Sequence, residues 1–201
     1  LVPMQPVHAA TLTAGNALEL IGEISIANGT AGADTIILTN NITLTTIIDS
    51  GLGNTGLPVI TSDITIEGQG HTITRGVGAP AFRIFRVAAT GNLKLNNLTV
   101  SNGSEGNGAG AYNAGTLTIN HSTFSDNLAS GDGGGVYNTG TLTITNSTFS
   151  GNSVGNGQGG GVFNDFGSTT ITNSTFSGNS AGGGGGGRKR GGGGKREDSS
   201  G

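Results

Sequence analysis

The residues best equipped for chemistry sit together in the first half of the chain. Asp63, Glu67, His71, Arg75, Arg83 and Arg86 form a mixed-charge set within 24 positions, and if consecutive turns of the backbone bring them together they resemble the acid, base and cation that polysaccharide hydrolysis or elimination requires. The plainer reading, that each is a solvated surface charge, is favoured. Beyond Lys94 the supply falls away. No lysine or arginine occurs until Arg188, and the only acids between them are Glu105, Asp126, Asp132 and Asp165. Asp132 and Asp165 lie next to glycines or in turn-like sequence, where aspartate commonly bonds the backbone. The Gly-Asp-Gly-Gly-Gly segment around Asp132 also falls short of the tandem calcium-binding nonapeptide. The sequence therefore assigns no catalytic, cofactor-binding or metal-ligating residue.

Two uncharged surface patterns are further candidates. Tyr112, Tyr137 and Phe163 recur at nearly equal spacing and should form an outward aromatic strip able to hold a sugar or a partner surface, although such columns more often stack on themselves. Thr116 and Thr118, Thr141 and Thr143, then Ser168 and Thr170 would line up as two rows of hydroxyl and methyl groups. That threonine face raises a third reading, binding to ice, against the simpler fact that threonine favours strands.

The elements that must position these residues are written in a repeat. GTLTINHSTFSDN (115–127), GTLTITNSTFSGN (140–152) and GSTTITNSTFSGN (167–179) begin 25 and then 27 residues apart, and GNLKLNNLTVSNG (91–103) is a degenerate earlier copy. A period of that size marks a stacked solenoid. Leu93, Leu117, Leu142 and Thr169 fall in one column and Leu95, Ile119, Ile144 and Ile171 in the next, two residues on, which is the signature of a strand with one buried face. Val100, Phe124, Phe149 and Phe176 make a second apolar side. GAGAYN (108–113), GGGVYN (133–138) and GGGVFN (159–164) make a third, with Ala111, Val136 and Val162 inward. Three short strands per coil of roughly 25 residues describe an all-β, right-handed parallel β-helix of about six coils, a rod on the order of 30 Å long.

Asparagine supplies three further columns: Asn113, Asn138 and Asn164; Asn127, Asn152 and Asn179; and Asn97, His121, Asn146 and Asn173. Amides stacked one strand spacing apart can satisfy each other and the backbone, so all three are expected to stack inward. Asn97, Asn146 and Asn173, with Asn28, Asn41, Asn102 and Asn120, also open Asn-x-Ser/Thr triplets, which inward stacking would shield from glycosylation.

The chain divides accordingly. Residues 1–10 end in Val-His-Ala-Ala and read as the remnant of a secretory signal or an unstructured terminus. Residues 11–80 carry irregular short strands such as Thr35–Leu38, Ile42–Thr45 and Ile64–Ile66, and a capping helix within Leu12–Ala27 is expected to cover the start of the apolar column. Residues 81–181 are the regular coils. Residues 182–201 combine glycine runs with Arg188-Lys189-Arg190 and Lys195-Arg196, have no apolar side chain and are expected to be disordered; a flexible linker explains them better than nucleic-acid binding. No cap is visible after Asn179, so the last coil should expose an unpaired edge, met either by more chain or by a second copy.

Composition fits this architecture and excludes others. Glycine fills 41 of 201 positions, charged residues make up 10%, and tryptophan and cysteine are absent, which rules out a disulfide framework or a thiolate metal site. The net charge of -3 is too small to imply an electrostatic partner. No apolar run approaches the roughly 18 residues of a membrane-spanning helix, so the chain is expected to be soluble.

Phe124-x-x-Asn127, Phe149-x-x-Asn152 and Phe176-x-x-Asn179, each preceded by a glycine-rich element such as Gly134-Gly135-Val136 or Gly160-Gly161-Val162, resemble the repeat of the chlamydial polymorphic outer membrane proteins. The resemblance covers roughly residues 91–180, and Gly32-Ala33-Asp34-Thr35-Ile36 is similar to the start of such proteins. This chain carries Gly135 or Gly161 where the family element prefers alanine, and it shows no C-terminal membrane barrel. The resemblance implies a secreted or bacterial cell-surface rod with a structural or adhesive role, glycans or cell-surface proteins as its partners and no catalytic activity; the alternative is a β-helix enzyme or binding module acting on polysaccharide.

Overall fold

Alternating apolar and hydroxyl residues dictate short strands, and the repeat dictates that each pairs with its counterpart one coil away. A computed structural model describes residues 9–182, and the expectations for residues 1–8 and for the tail from 183 lie outside them. Within that span the chain winds through parallel sheets whose order follows the coils. The longest sheet has seven strands: Thr11–Ala14, Ala33–Leu38, Asp63–Glu67, Asn92–Asn96, Thr116–Asn120, Thr141–Thr145 and Ser168–Thr172. The stack thus runs to about seven turns, one more than the spacing suggests, because Thr11–Ala14 adds a strand before the helix.

A second sheet carries the phenylalanines: Ile42–Leu44, Thr72–Arg75, Thr99–Ser101, Thr123–Ser125, Thr148–Ser150 and Thr175–Ser177. A third holds Phe85–Val87, Ala111–Asn113, Val136–Asn138 and Val162–Asn164. The structure adds a fourth side that the three-strand expectation lacks. Ser104–Glu105, Leu128–Ala129, Ser153–Val154 and Ser180–Ala181 pair in register, each only two residues long, too short to leave a readable period in sequence.

The aligned columns are strand partners. Leu93, Leu117, Leu142 and Thr169 pair in series, as do Val100, Phe124, Phe149 and Phe176, and Phe85, Ala111, Val136 and Val162. Leu117, Ile119, Phe124, Val136, Ile144 and Phe149 have no exposed surface. The phenylalanine rings stack along the axis, with centroids 5.1 Å apart for Phe124 and Phe149 and 4.9 Å for Phe149 and Phe176. Gly135 explains the departure from alanine in its element: a Cβ there would meet the Gly161 carbonyl oxygen at 2.5 Å and the Phe149 ring at 3.0 Å. The wide phenylalanine occupies the space an alanine methyl would need.

A helix closes the N-terminal end of the core, and it runs two residues past the Leu12–Ala27 stretch in which a cap is expected. Helix α1 (Ala17–Gly29) buries Leu20, Ile24 and Ala27 against the first coils. Asn16 caps it by accepting from the Glu19 N–H at 3.0 Å, while the Glu19 carboxylate accepts from the Gly15 N–H at 2.7 Å, a reciprocal pair that fixes where the helix begins. At its other end Asn28 ties the helix to the Val59 carbonyl and the Thr61 N–H.

Two of the three asparagine columns form ladders. Asn113 donates to Asn138 and Asn138 to Asn164, both at 2.7 Å; Asn127 donates to Asn152 at 2.8 Å and Asn152 to Asn179 at 2.9 Å. The third column is corrected by the backbone. Asn97, His121, Asn146 and Asn173 hold φ values of 50°, 47°, 49° and 48°, the left-handed conformation asparagine tolerates, and all four are exposed at a corner. They turn the chain instead of stacking inward. The neighbouring serines do the inward work: Ser122 Oγ accepts from the Leu98 N–H at 3.3 Å, and Ser147 and Ser174 Oγ accept from the Ser122 and Ser147 N–H groups at 3.1 Å each.

Candidate functional site

The mixed-charge set does not converge. Asp63 pairs with Lys94 at 3.5 Å and Glu67 accepts from Asn96 at 2.7 Å, both on the outer surface of the longest sheet. Arg75, on the phenylalanine sheet, donates to the Asn102 and Ala79 carbonyls. Arg83 and Arg86 belong to the third side, where Arg86 meets Asp49 at 3.3 Å. Arg83 is almost entirely buried. Its guanidinium donates to the Leu52 carbonyl at 3.2 Å, lies 3.9 Å from Glu105 and rests over the Tyr112 ring at 5.1 Å. Burial pulls its pKa below the ordinary arginine value, with Glu105 opposing that shift. Glu105 also borders a shallow groove along the fourth side, with Ala81, Ser104, Leu128, Ser130 and Gly155.

The aromatic strip is present as a column, and register extends it: Arg86, Tyr112, Tyr137 and Phe163 are successive strand partners. The Tyr112 and Tyr137 rings lie 5.1 Å apart at an interplanar angle of 14°, and Tyr137 and Phe163 lie 5.5 Å apart at 34°. Their faces are therefore turned on one another, and Tyr137 is 8% exposed. What the column offers outward is ring edges, not the open ring face on which a sugar stacks. Tyr137 instead donates its hydroxyl to Asp165 at 2.6 Å. Burial first, and then that hydrogen bond and the Asp165 charge, raise its pKa well above the usual 10.0.

The sign follows from where the proton stays. A raised folded-state pKa means that Tyr137 keeps its proton when the unfolded chain loses it, so its contribution is fully present below about pH 10 and falls as pH rises beyond that value. Tyr137→Phe should flatten the alkaline fall in stability, measured as the urea midpoint from about pH 8 to 11. An unchanged fall would sink the assignment.

The threonine rows align as their spacing predicts. Thr116, Thr141 and Ser168 are partners, and so are Thr118, Thr143 and Thr170. Register lengthens the second row through Thr65, Thr35 and Thr11, broken only by Lys94. A second hydroxyl face escapes the sequence pattern. On the phenylalanine sheet Thr72, Thr99, Thr123, Thr148 and Thr175 form an unbroken column, and Thr43, Thr74, Ser101, Ser125, Ser150 and Ser177 form another. Its signal is the Thr-Phe-Ser triplet itself, in which the buried phenylalanine implies that both flanking hydroxyls point out.

Asp132 and Asp126 serve turns. Asp132 Oδ1 accepts from the Gln158 N–H at 2.7 Å, and Asp126 sits exposed at φ 55°. Among the described residues no group of three or more histidine, aspartate or glutamate side chains is placed to hold a metal ion.

Parallel sheets wound coil upon coil around one apolar column, with asparagine ladders at the corners, define a parallel β-solenoid. Residues 24–190 match the right handed beta helix region family, and the chain belongs to that family. No curated protein and no solved structure matches it.

Proposed function

We propose that this β-helix is a non-catalytic structural or adhesive rod of a bacterial cell surface or secretion, engaging neutral glycans or cell-surface proteins along its flanks. The observation that carries this reading is the chemistry of the two hydroxyl faces. In the last three coils the outward residues of both sheets are threonine, serine and one asparagine, without a charge among them. Rows of donor-acceptor groups one strand spacing of about 4.8 Å apart suit a long, uncharged, hydroxyl-rich ligand. The edges of Tyr112 and Phe163 extend that surface around the corner. The repeat resemblance to chlamydial surface proteins points the same way.

A second reading, an enzyme acting on polysaccharide, rests on Glu105 beside its groove and the buried Arg83 behind it. A glycan array in buffer with and without calcium, following both retention and release of cleaved sugar, separates the two. Retention without cleavage is the expected result. Release of cleaved sugar that Glu105→Gln abolishes would replace the adhesive reading with the enzymatic one.

A further inference from the structure

Glu105 is out of keeping with its column. Its register partners on the fourth side are Ala129 and then Val154, which are buried with Ala109 in a small apolar cluster, so the next coils fill this inward position with methyl groups. Glu105 places a carboxylate there instead, with its side chain 17% exposed. The neighbouring cation does not account for it. Arg83 Nη2 lies 3.9 Å from Glu105 Oε1, beyond hydrogen-bond reach, and the Arg83 Nε–H has no partner either. A pair of that geometry is a poor stabilising device, since buried charges repay their desolvation only when hydrogen bonds complete them. Among the described residues no N–H or O–H donates to the Glu105 carboxylate, whose one close cation is that guanidinium.

The chain covers this pair on one side and leaves it open on another. The Leu52 carbonyl accepts from Arg83 Nη1 at 3.2 Å, and a Cβ on Gly53 would lie 2.6 Å from Arg83 Nη2 and 3.0 Å from Glu105 Oε1. What stays open is the groove, which Glu105 lines with Ala81, Ser104, Leu128, Ala129 and Ser130 and which has a volume of about 490 Å³. That lies within the roughly 300–1,000 Å³ of small-molecule sites. We propose that this groove binds a single neutral pyranose, held by two adjacent sugar hydroxyls that donate to the Glu105 carboxylate. The inference rests on the glycan reading above and gives it a defined subsite.

The chemistry of the lining selects that ligand. Adjacent hydroxyls present two donors to one carboxylate, as an arginine fork does. Leu128, 50% exposed, forms an apolar wall with Ala81 and Ala129 against which the C–H face of a sugar ring can lie, and the Ser104 and Ser130 hydroxyls can donate to or accept from its remaining hydroxyls. Charge narrows the choice further. Arg83 already balances Glu105, so a cationic ligand gains little, while the carboxylate at the groove repels an acidic sugar. Glu105 is the single carboxylate among the residues that line the groove, so the pair of acids that glycosidic cleavage needs is missing there and the site holds its sugar intact.

The test follows the methyl resonances of Leu128 and Ala129 by NMR in the intact chain while methyl glucoside, methyl galactoside and methyl mannoside are titrated in turn. A saturable shift of both resonances by at least one of the three is expected, with a Kd of about 1 mM, the scale for a ligand of this size. Cyclohexanol, a six-membered ring with one hydroxyl, should bind at least about tenfold more weakly. Glu105→Gln, which keeps the shape but turns one acceptor into a donor, should weaken the sugar at least about tenfold. Leu128→Arg, at an exposed side chain, fills the groove without touching the ion pair and should abolish the shift of Ala129, while Thr148→Lys on the phenylalanine sheet leaves it unchanged. Far-UV circular dichroism confirms that each variant keeps its coils. No saturable shift with any of the three sugars, equal binding of cyclohexanol, or full binding by Glu105→Gln would overturn the inference. Glycan-array retention that survives Glu105→Gln and Leu128→Arg, with no shift here, would remove this subsite and leave the adhesive reading standing. A saturable shift without retention on the array would keep the subsite and remove adhesion along the flanks.

Discussion

Replacing Phe149 with alanine is expected to lower stability by about 3–5 kcal/mol, the range for emptying a fully buried aromatic site. The effect should be the largest in its column. Phe149 has no exposed surface and stacks on both neighbours, at interplanar angles of 12° and 10°, whereas among the described residues Phe176 stacks on one side only and is 41% exposed. Each stacked pair contributes roughly 0.5–1.5 kcal/mol beyond its buried area, so Phe149→Ala loses two such pairs and Phe176→Ala one. A solenoid unit touches only its neighbours, so the cavity weakens the coils on either side and the C-terminal coils should open first. Phe149→Leu, which keeps most of the volume, should cost less than half as much. Urea midpoints for the three variants measure this order. A loss at Phe149 no greater than at Phe176 would show that the rod does not draw its stability from continuity of the aromatic column.

What is legible in the sequence, and what is not, divides along one physical line. The apolar columns are legible because a buried strand face demands the same size and shape in every coil, and stacking rewards identity; Leu117, Leu142, Phe124 and Phe149 therefore align on spacing and residue type alone. The inward ladders of Asn113 and Asn127 are legible for the same reason. The column of Asn97, His121, Asn146 and Asn173 misleads because asparagine repeats for two different causes, amide pairing and tolerance of positive φ, and spacing alone cannot separate them. Histidine at position 121 is the clue, since an imidazole cannot take an amide's place in an inward ladder. The serines beside that column stay hidden because a hydroxyl that accepts from the preceding coil's backbone looks, in sequence, like any polar strand residue. The aromatic strip is a further instance. Tyr112, Tyr137 and Phe163 do fall in one column, but whether a column shows faces or edges depends on the stacking distance, which only the coil pitch sets.

The ladder of Asn127, Asn152 and Asn179 carries the second large expected effect. Asn152 is fully buried, and its side chain accepts from the Asn127 backbone and amide at 3.2 and 2.8 Å while donating to the Phe124 carbonyl and to Asn179, at 2.8 and 2.9 Å. Asn152→Ala leaves the Asn127 N–H, one of the two amide hydrogens of Asn127 and the Phe124 carbonyl without these partners in a fully buried site. At about 1–3 kcal/mol per orphaned group, the loss should reach at least about 3 kcal/mol, comparable to Phe149→Ala although far less apolar volume is removed. Asn152→Asp distinguishes the hydrogen bonds from the shape. The carboxylate can still accept from Asn127, but ionised it has nothing to donate, and the two acceptors that Asn152 served now face a buried negative charge. Burial without a cation raises the folded-state pKa above the ordinary aspartate value of about 3.9, so the neutral acid, which can donate to one of those acceptors, is the form the site favours. With the folded pKa raised, stability relative to wild type is retained below about pH 4 and lost as pH climbs through the folded value. The Asp variant should therefore approach wild type at about pH 4 and fall towards the Ala variant near pH 7, with the Ala variant's deficit constant between them. A pH-independent deficit in the Asp variant would mean that water reaches the ladder, and that the corner is held by strand pairing rather than by its amides.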